Sequence, residues 1–130
     1  MRTKTLWIKD EYLSTILSGR KTVEVRVAYS NIARLEAGDF LVLNGRYRFV
    51  IRRIGRYGSF SDLLASEDAA AIAPGMLRED LLSALRHLYP PEKEALGVVA
   101  LEIIPAETER ARDSCLDSGS PRPGLTGPVP

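Results

Sequence analysis

Hydrophobic and polar positions alternate most regularly in residues 22–28. The alternation predicts a strand, because successive side chains of a strand point to opposite faces of its sheet. We expect one face to be apolar and buried, and the other to be polar. The two faces carry Val23, Val25 and Val27 against Thr22, Glu24 and Arg26.

The pattern in the rest of the chain predicts further elements. A helix over 11–18 would be capped by Asp10 and would end at Gly19, since glycine readily adopts the left-handed backbone that follows a helix. Asn44-Gly45 predicts a tight hairpin. Ser59 is expected to cap a later helix. The other expected strands cover 6–8, 40–43, 46–55 and 98–104, and a second regular helix covers 77–88, with Leu77, Leu81, Leu82, Leu85 and Leu88 as its apolar stripe.

Three features add detail to these predictions. Arg52 and Arg53 are adjacent in the strand over 46–55, which predicts either a bulge or an exposed edge. The apolar run over 98–104 predicts a buried central strand. His87 would lie in the last turn of its helix, where the helix dipole favours it, rather than act as a catalytic base.

The order of elements predicts one domain over 1–105, followed by a Pro/Gly-rich tail over 106–130. The fold class is α+β and mainly β: a small mixed β-barrel of about five to six strands with inserted helices.

Composition narrows the function only in part. Residues 1–60 hold 12 Lys and Arg against 5 Asp and Glu, while residues 61–130 hold 6 against 12. The basic half would suit an anionic ligand, although the two halves would equally neutralise each other across an interface. The single cysteine, Cys115, forms no internal disulfide and predicts a cytoplasmic protein. We expect no metal, no cofactor and no membrane span.

Residues 19–26 match the G-x-K-x-x-E-x-R signature of ASCH domains, which belong to the PUA-like β-barrel superfamily. Other segments between about residues 3 and 105 resemble the family in order and spacing, namely 6–9, 12–17, 38–40, 57–60, 63–64, 89–94 and 96–100. The resemblance implies a PUA-like barrel and a cleft between barrel and helices that binds RNA or a nucleotide. Lys21, Glu24 and Arg26 would line that cleft, with Tyr57 and Ser59 at its border.

The same resemblance implies an enzymatic alternative. Some ASCH domains are ribonucleases, and a branch of small members hydrolyses N4-acetylcytidine and related nucleosides with the signature G-R-K-T-x-T-x-R. In that branch the catalytic residues are the lysine, the second threonine and a glutamate on a later helix. They correspond here to Lys21, Glu24 and the vicinity of Asp80, so Glu24 stands where the hydrolases have a hydroxyl.

Each of these residues also has a structural interpretation. Lys21 would bind an anion or pair with Glu24, and catalysis by Lys21 would require a neutral amine. Glu24 would accept a hydrogen bond from the amine of a base, or hold the two cations in place. Arg26 would clamp a phosphate, or form a salt bridge.

The strand over 46–55 offers a second surface. Arg46, Arg48, Arg52 and Arg53 are interleaved with aromatic residues, a pattern that suits phosphates and stacked bases. The alternative is a solvated arginine face on an ordinary hairpin. We therefore expect RNA or a nucleoside as partner, and the oligomeric state stays open.

Overall fold

A computed structural model describes residues 2–106 of the protein. Nearly all of the expected tail, including Cys115, lies outside the described residues. The five strands are β1 (Thr3–Leu6), β2 (Val23–Val27), β3 (Phe40–Leu43), β4 (Tyr47–Tyr57) and β5 (Val98–Pro105). The helices are α1 (Asp10–Leu17), α2 (Ser30–Ala33), α3 (Phe60–Ser66), α4 (Ala69–Ile72), α5 (Arg78–Leu88) and α6 (Pro91–Glu94).

The strands form one curled sheet in the order β1-β3-β4-β5-β2. β1 pairs with β3 in parallel, and the three other pairings are antiparallel. β1 and β2 are therefore the two edges of a half-barrel. This architecture confirms the expected α+β, mainly β fold with helices inserted between the strands.

β5 lies inside the sheet, as its apolar run predicts, and both of its faces are buried. Val99, Leu101 and Ile103 join the core that helices α1 and α2 cover. Val98 and Ala100 face the second core, which contains the three valines of β2 and buried residues of α3, α4 and α5. The alternation over 22–28 thus identified the buried face of β2 correctly.

The first strand ends earlier than its apolar run suggested. Leu6 pairs with Leu43, the last residue of β3, so no strand remains to pair with Trp7 and Ile8. The Asn44 side chain takes the place of that partner: it accepts from the Ile8 N–H and donates to the Ile8 carbonyl, at 2.7 and 2.9 Å. Asn44 and Gly45 both have positive φ, as the hairpin turn requires.

Several local predictions are confirmed and two need correction. Gly19 has φ of +85° at the end of α1, and Ser59 caps α3 by accepting from the Asp62 N–H. Asp10, however, is the first residue of α1 and not its cap, a position that Lys9 occupies. In α5 only Leu81 and Leu85 are buried, whereas Leu77 and Leu88 lie at the helix ends, beyond the core, and are exposed.

The irregularity expected at the adjacent arginines is a bulge, and it lies in the interior strand β4 rather than at an edge. The bulge changes the local register, so that Arg52 and Arg53 both reach Glu102 of β5. The turn before β3 is also tied down, because Asp39 accepts from the backbone N–H groups of Arg2 and Glu36.

Candidate functional site

A cavity of about 650 Å³ lies along the free edge of β2. The segment Trp7 to Lys9 and helix α1 form one wall, and the end of α4 together with α5 forms the other. Lys21, Glu24 and Arg26 all line it, and so does Asp80. The structure therefore brings together four of the residues that the sequence singled out.

Lys21 lies at the bottom of this cavity with only 7% of its surface exposed. Its ammonium nitrogen donates to the carbonyl oxygens of Val23 and Ile72, at 2.9 and 2.7 Å. The third neighbour is Glu24 Oε1 at 3.3 Å. Two carbonyl acceptors and one carboxylate ion pair therefore engage the ammonium group, and the side chain ties the edge strand to the last carbonyl of α4.

Glu24 bridges the two cations. Its second oxygen, Oε2, accepts from Arg26 Nε at 2.7 Å. Arg26 Nη2 also donates to the carbonyl of Trp7 at 3.3 Å, and Nη1 has no hydrogen-bond partner among residues 2–106. Protein atoms thus hold the guanidinium group through Nε and Nη2, while Nη1 remains available to a ligand.

The Arg26–Trp7 contact also joins the two edges of the curled sheet. Arg26 is on β2, and Trp7 directly follows β1. The cavity therefore lies at the seam between the two edge strands, which do not pair with each other to close the half-barrel. This position brings the Arg26 side chain and the exposed Trp7 indole into the lining of the same cavity.

Helix α5 contributes a row of four lining residues, three of them polar. Asp80, Ser83, Ala84 and His87 are spaced three, four and seven residues apart, which places them on one helix face, and all four line the cavity. Asp80 forms no hydrogen bond or ion pair with Lys21 or Glu24. Ser83 was not singled out from the sequence, and His87 was expected only as a last-turn residue, although their spacing from Asp80 was a usable signal for the shared face.

Tyr89 completes the wall of the cavity at the end of α5. Burial raises the pKa of its hydroxyl above the ordinary value; Arg26 opposes this shift and Glu24 adds to it. The phenol therefore stays protonated across the physiological range and is available there as a hydrogen-bond donor.

Tyr57 and Ser59 lie elsewhere. Tyr57 borders a separate, shallower cavity of about 340 Å³, and its hydroxyl donates to the buried carboxylate of Glu67. Arg53 donates to both oxygens of Glu67, which lowers the pKa of that carboxyl, and the Tyr57 bond lowers it further. The Ser59 oxygen is used as the cap of α3. Neither residue lines the cavity that contains Lys21.

The arginines of the hairpin are also outside this cavity. Arg52 and Arg53 are engaged by Glu102, and Arg53 by Glu67 as well. Arg46 lies over the ring of Tyr47 and Arg48 over the ring of Phe40, at 5.2 and 4.2 Å from the ring centroids. A nucleic-acid surface on this hairpin stays a prediction, and of the four arginines named for it only Arg46 and Arg48 have no acidic partner among residues 2–106.

Two further properties concern the described part of the chain. Within residues 2–106, no group of three His, Cys, Asp or Glu side chains is placed to hold a metal ion. Over the same residues, no helix has both the length and the apolar character needed to cross a bilayer.

Comparison with known proteins places the fold. The crystal structure of a hypothetical protein superimposes with a TM-score of 0.74 and 29% identity, over 81% of this chain and 99% of the other. The solution NMR structure of a Pyrococcus furiosus protein gives a TM-score of 0.68 and 29% identity, over 82% and 99% of the two chains. A search of curated proteins produced no match. A family model for the ASCH domain matches residues 6–107. The signature over 19–26 lies within that range, and the chain belongs to the ASCH domain family.

Proposed function

We propose that the protein binds RNA or a nucleotide-like ligand in the cavity along β2, with Arg26 contacting a phosphate. ASCH family membership supports RNA binding in general terms. The observation that carries the specific proposal is the arginine itself. Glu24 orients its Nε, whereas Nη1 has no partner among the described residues and the side chain is 23% exposed.

Lys21 and Glu24 act as positioning residues in this proposal. Lys21 is nearly enclosed, donates to two carbonyls and pairs with Glu24, so little of its nitrogen is left for a ligand. Glu24 takes one cation on each oxygen. The pair therefore holds the Arg26 guanidinium in one orientation, which lowers the conformational entropy lost when a phosphate binds.

The hydrolytic alternative has one observation in its favour, since Asp80 lines the same cavity as Lys21 and Glu24. Attack or proton abstraction by Lys21 requires a free lone pair on nitrogen. Two carbonyls accept from that nitrogen and the Glu24 carboxylate pairs with it, an arrangement that suits an ammonium group instead. For this reason we favour binding, with Asp80 as a wall residue.

The test is the affinity for a short single-stranded RNA labelled at one end, measured by fluorescence anisotropy at several salt concentrations. A charge-assisted hydrogen bond contributes about 1.5–3 kcal/mol, so Arg26→Met should weaken binding by roughly tenfold or more. Loss of one phosphate contact should also reduce the slope of log K against log salt by about 0.7.

Arg34→Met is the matched control, because Arg34 is exposed, has the same charge and does not line the cavity. It should leave both affinity and slope close to those of the wild type. If both variants lose the same affinity, the loss reflects only the lower net charge of the protein, and the proposal is rejected.

If instead Arg46→Met and Arg48→Met weaken binding while Arg26→Met does not, RNA binds at the hairpin. Release of cytidine from N4-acetylcytidine by the pure protein would contradict a purely binding role.

A further inference from the structure

Exposed apolar side chains gather around the same cavity. Trp7 is 71% exposed, and Tyr12, Met76 and Leu88 are also exposed and line the cavity with it. Large apolar groups exposed together on a small protein usually mark a binding site. The buried lining residues Lys21 and Glu24 are charged and these four exposed ones are apolar, so a matching ligand would combine an anionic group with a flat apolar one.

Trp7 is the most exposed of these residues, yet the structure holds it firmly. The next residue, Ile8, is bound on both its N–H and its carbonyl by the Asn44 side chain. The Trp7 carbonyl accepts from Arg26. Gly45 leaves room beside the indole: a Cβ added there would lie 3.9 Å from the ring atom Cη2. The backbone that carries the ring is therefore fixed, while most of the indole remains in solvent.

Trp7 and Arg26 are neighbours in the lining of the cavity. Because Arg26 Nη2 lies 3.3 Å from the carbonyl of Trp7, the guanidinium and the indole belong to neighbouring parts of one opening. An aromatic ring stacks on any base, and arginine binds the phosphate that follows it. Bases inside a duplex are stacked on their neighbours and cannot stack on a protein side chain. Bases in a single strand can be unstacked, so their faces are accessible to an aromatic ring.

We propose that Trp7 is a stacking platform for an unpaired base of a single-stranded nucleic acid, with a neighbouring phosphate on Arg26. This inference rests on the proposed function and specifies its ligand as an unpaired base within a single strand. It also accounts for a large apolar ring that is 71% exposed.

The experiment uses the fact that Trp7 is the only tryptophan of the chain. Unlabelled single-stranded RNA is titrated into the full-length protein while Trp7 fluorescence is recorded, and the anisotropy of end-labelled RNA measures affinity separately. The comparison ligands are the same sequence as a duplex, as single-stranded DNA, and as a single strand without bases. Trp7→Ala and Trp7→Phe are the variants, and Leu17→Ala, an exposed apolar residue outside the cavity, is the control.

Stacking predicts quenching of Trp7 by single-stranded RNA and much less by the duplex or by the strand without bases. Trp7→Ala should bind about tenfold more weakly, with Trp7→Phe in between and Leu17→Ala unchanged. A similar response to DNA would show that the 2′-hydroxyl is not read, and would support stacking equally.

The outcomes separate this inference from the proposed function. Binding by anisotropy that depends on Arg26, without quenching and without loss in Trp7→Ala, overturns the stacking platform and leaves the phosphate site standing. Quenching of equal size by the strand without bases also overturns it. Absence of any binding by the wild type overturns both. Since quenching is measured on the wild type, the test does not depend on how the variants fold.

Discussion

Replacing Lys21 by methionine tests whether this lysine positions the site or contacts the ligand. Methionine has a similar length and removes only the charged group. The change leaves the carbonyls of Val23 and Ile72 without their donor in a nearly enclosed place, and it takes one of the two partners of Glu24 away. A buried acceptor that loses its donor costs about 1–3 kcal/mol. Two such acceptors lose their donor, but the variant no longer has to bury an ammonium group, which offsets part of the loss. The free energy of unfolding should therefore fall by about 3 kcal/mol.

For a domain of this size, that loss corresponds to a decrease in melting temperature of roughly 10–15 °C. The measurement is urea denaturation followed by circular dichroism, with the free energy of unfolding obtained by linear extrapolation and the m-value expected to stay constant. Lys9→Met is the matched control. Lys9 lines the same cavity but is exposed, so the same substitution should change the free energy of unfolding by less than about 0.5 kcal/mol.

Arg26→Met provides the contrast. Arg26 is partly exposed and loses one ion pair, so we expect a loss of about 1 kcal/mol in stability together with the loss of binding described above. A Lys21→Met variant as stable as the wild type but unable to bind would refute the positioning role. Lys21 would then have to contact the ligand directly.

Two further predictions concern stability away from the cavity. Backbone hydrogen bonds lower the pKa of Asp39, so its contribution to stability is complete above about pH 4 and is lost as the pH falls through the lowered pKa. Asp39→Asn should therefore be less stable at pH 7, and urea denaturation at a series of pH values should show the difference shrinking in acid; a constant difference would contradict this. Gly55→Ala should cost about 1–3 kcal/mol, because an added Cβ would lie 2.5 Å from Glu67 Oε2. Gly58→Ala, where the nearest atom lies at 4.0 Å, is the comparison, and equal melting temperatures would refute the steric argument.

Features that depend on neighbouring residues could be predicted from the sequence. The alternation over 22–28 identified the buried valines of β2, and Asn44-Gly45 identified the hairpin turn. The eight residues of the signature identified the family and drew attention to Lys21, Glu24 and Arg26. Each of these inferences uses only the two-residue period of a strand, the backbone freedom of glycine or a short continuous motif.

Features that depend on distant residues could not be predicted in the same way. The apolar run at Trp7 and Ile8 has the pattern of a strand, but the end of β3 leaves it without a partner and Asn44 binds it instead. Tyr57 was expected at the border of the cleft, and a contact with Glu67 holds it elsewhere. In both cases the bonding partner lies ten or more positions away along the chain, so a local sequence pattern does not predict the contact.

The sequence alone determined the strand, the helix end and the three charges at positions 21, 24 and 26, because these follow from local periodicity and composition. Only the tertiary structure decided what those charges do. Lys21 is held by the Ile72 carbonyl, 51 positions away, and Arg26 is oriented toward the seam between the two edge strands. The physical reason is that hydrogen-bond partners of a buried side chain depend on how the elements pack. Packing is therefore what turns a cluster of charges into one anchored lysine, one bridging carboxylate and one arginine that faces the cavity.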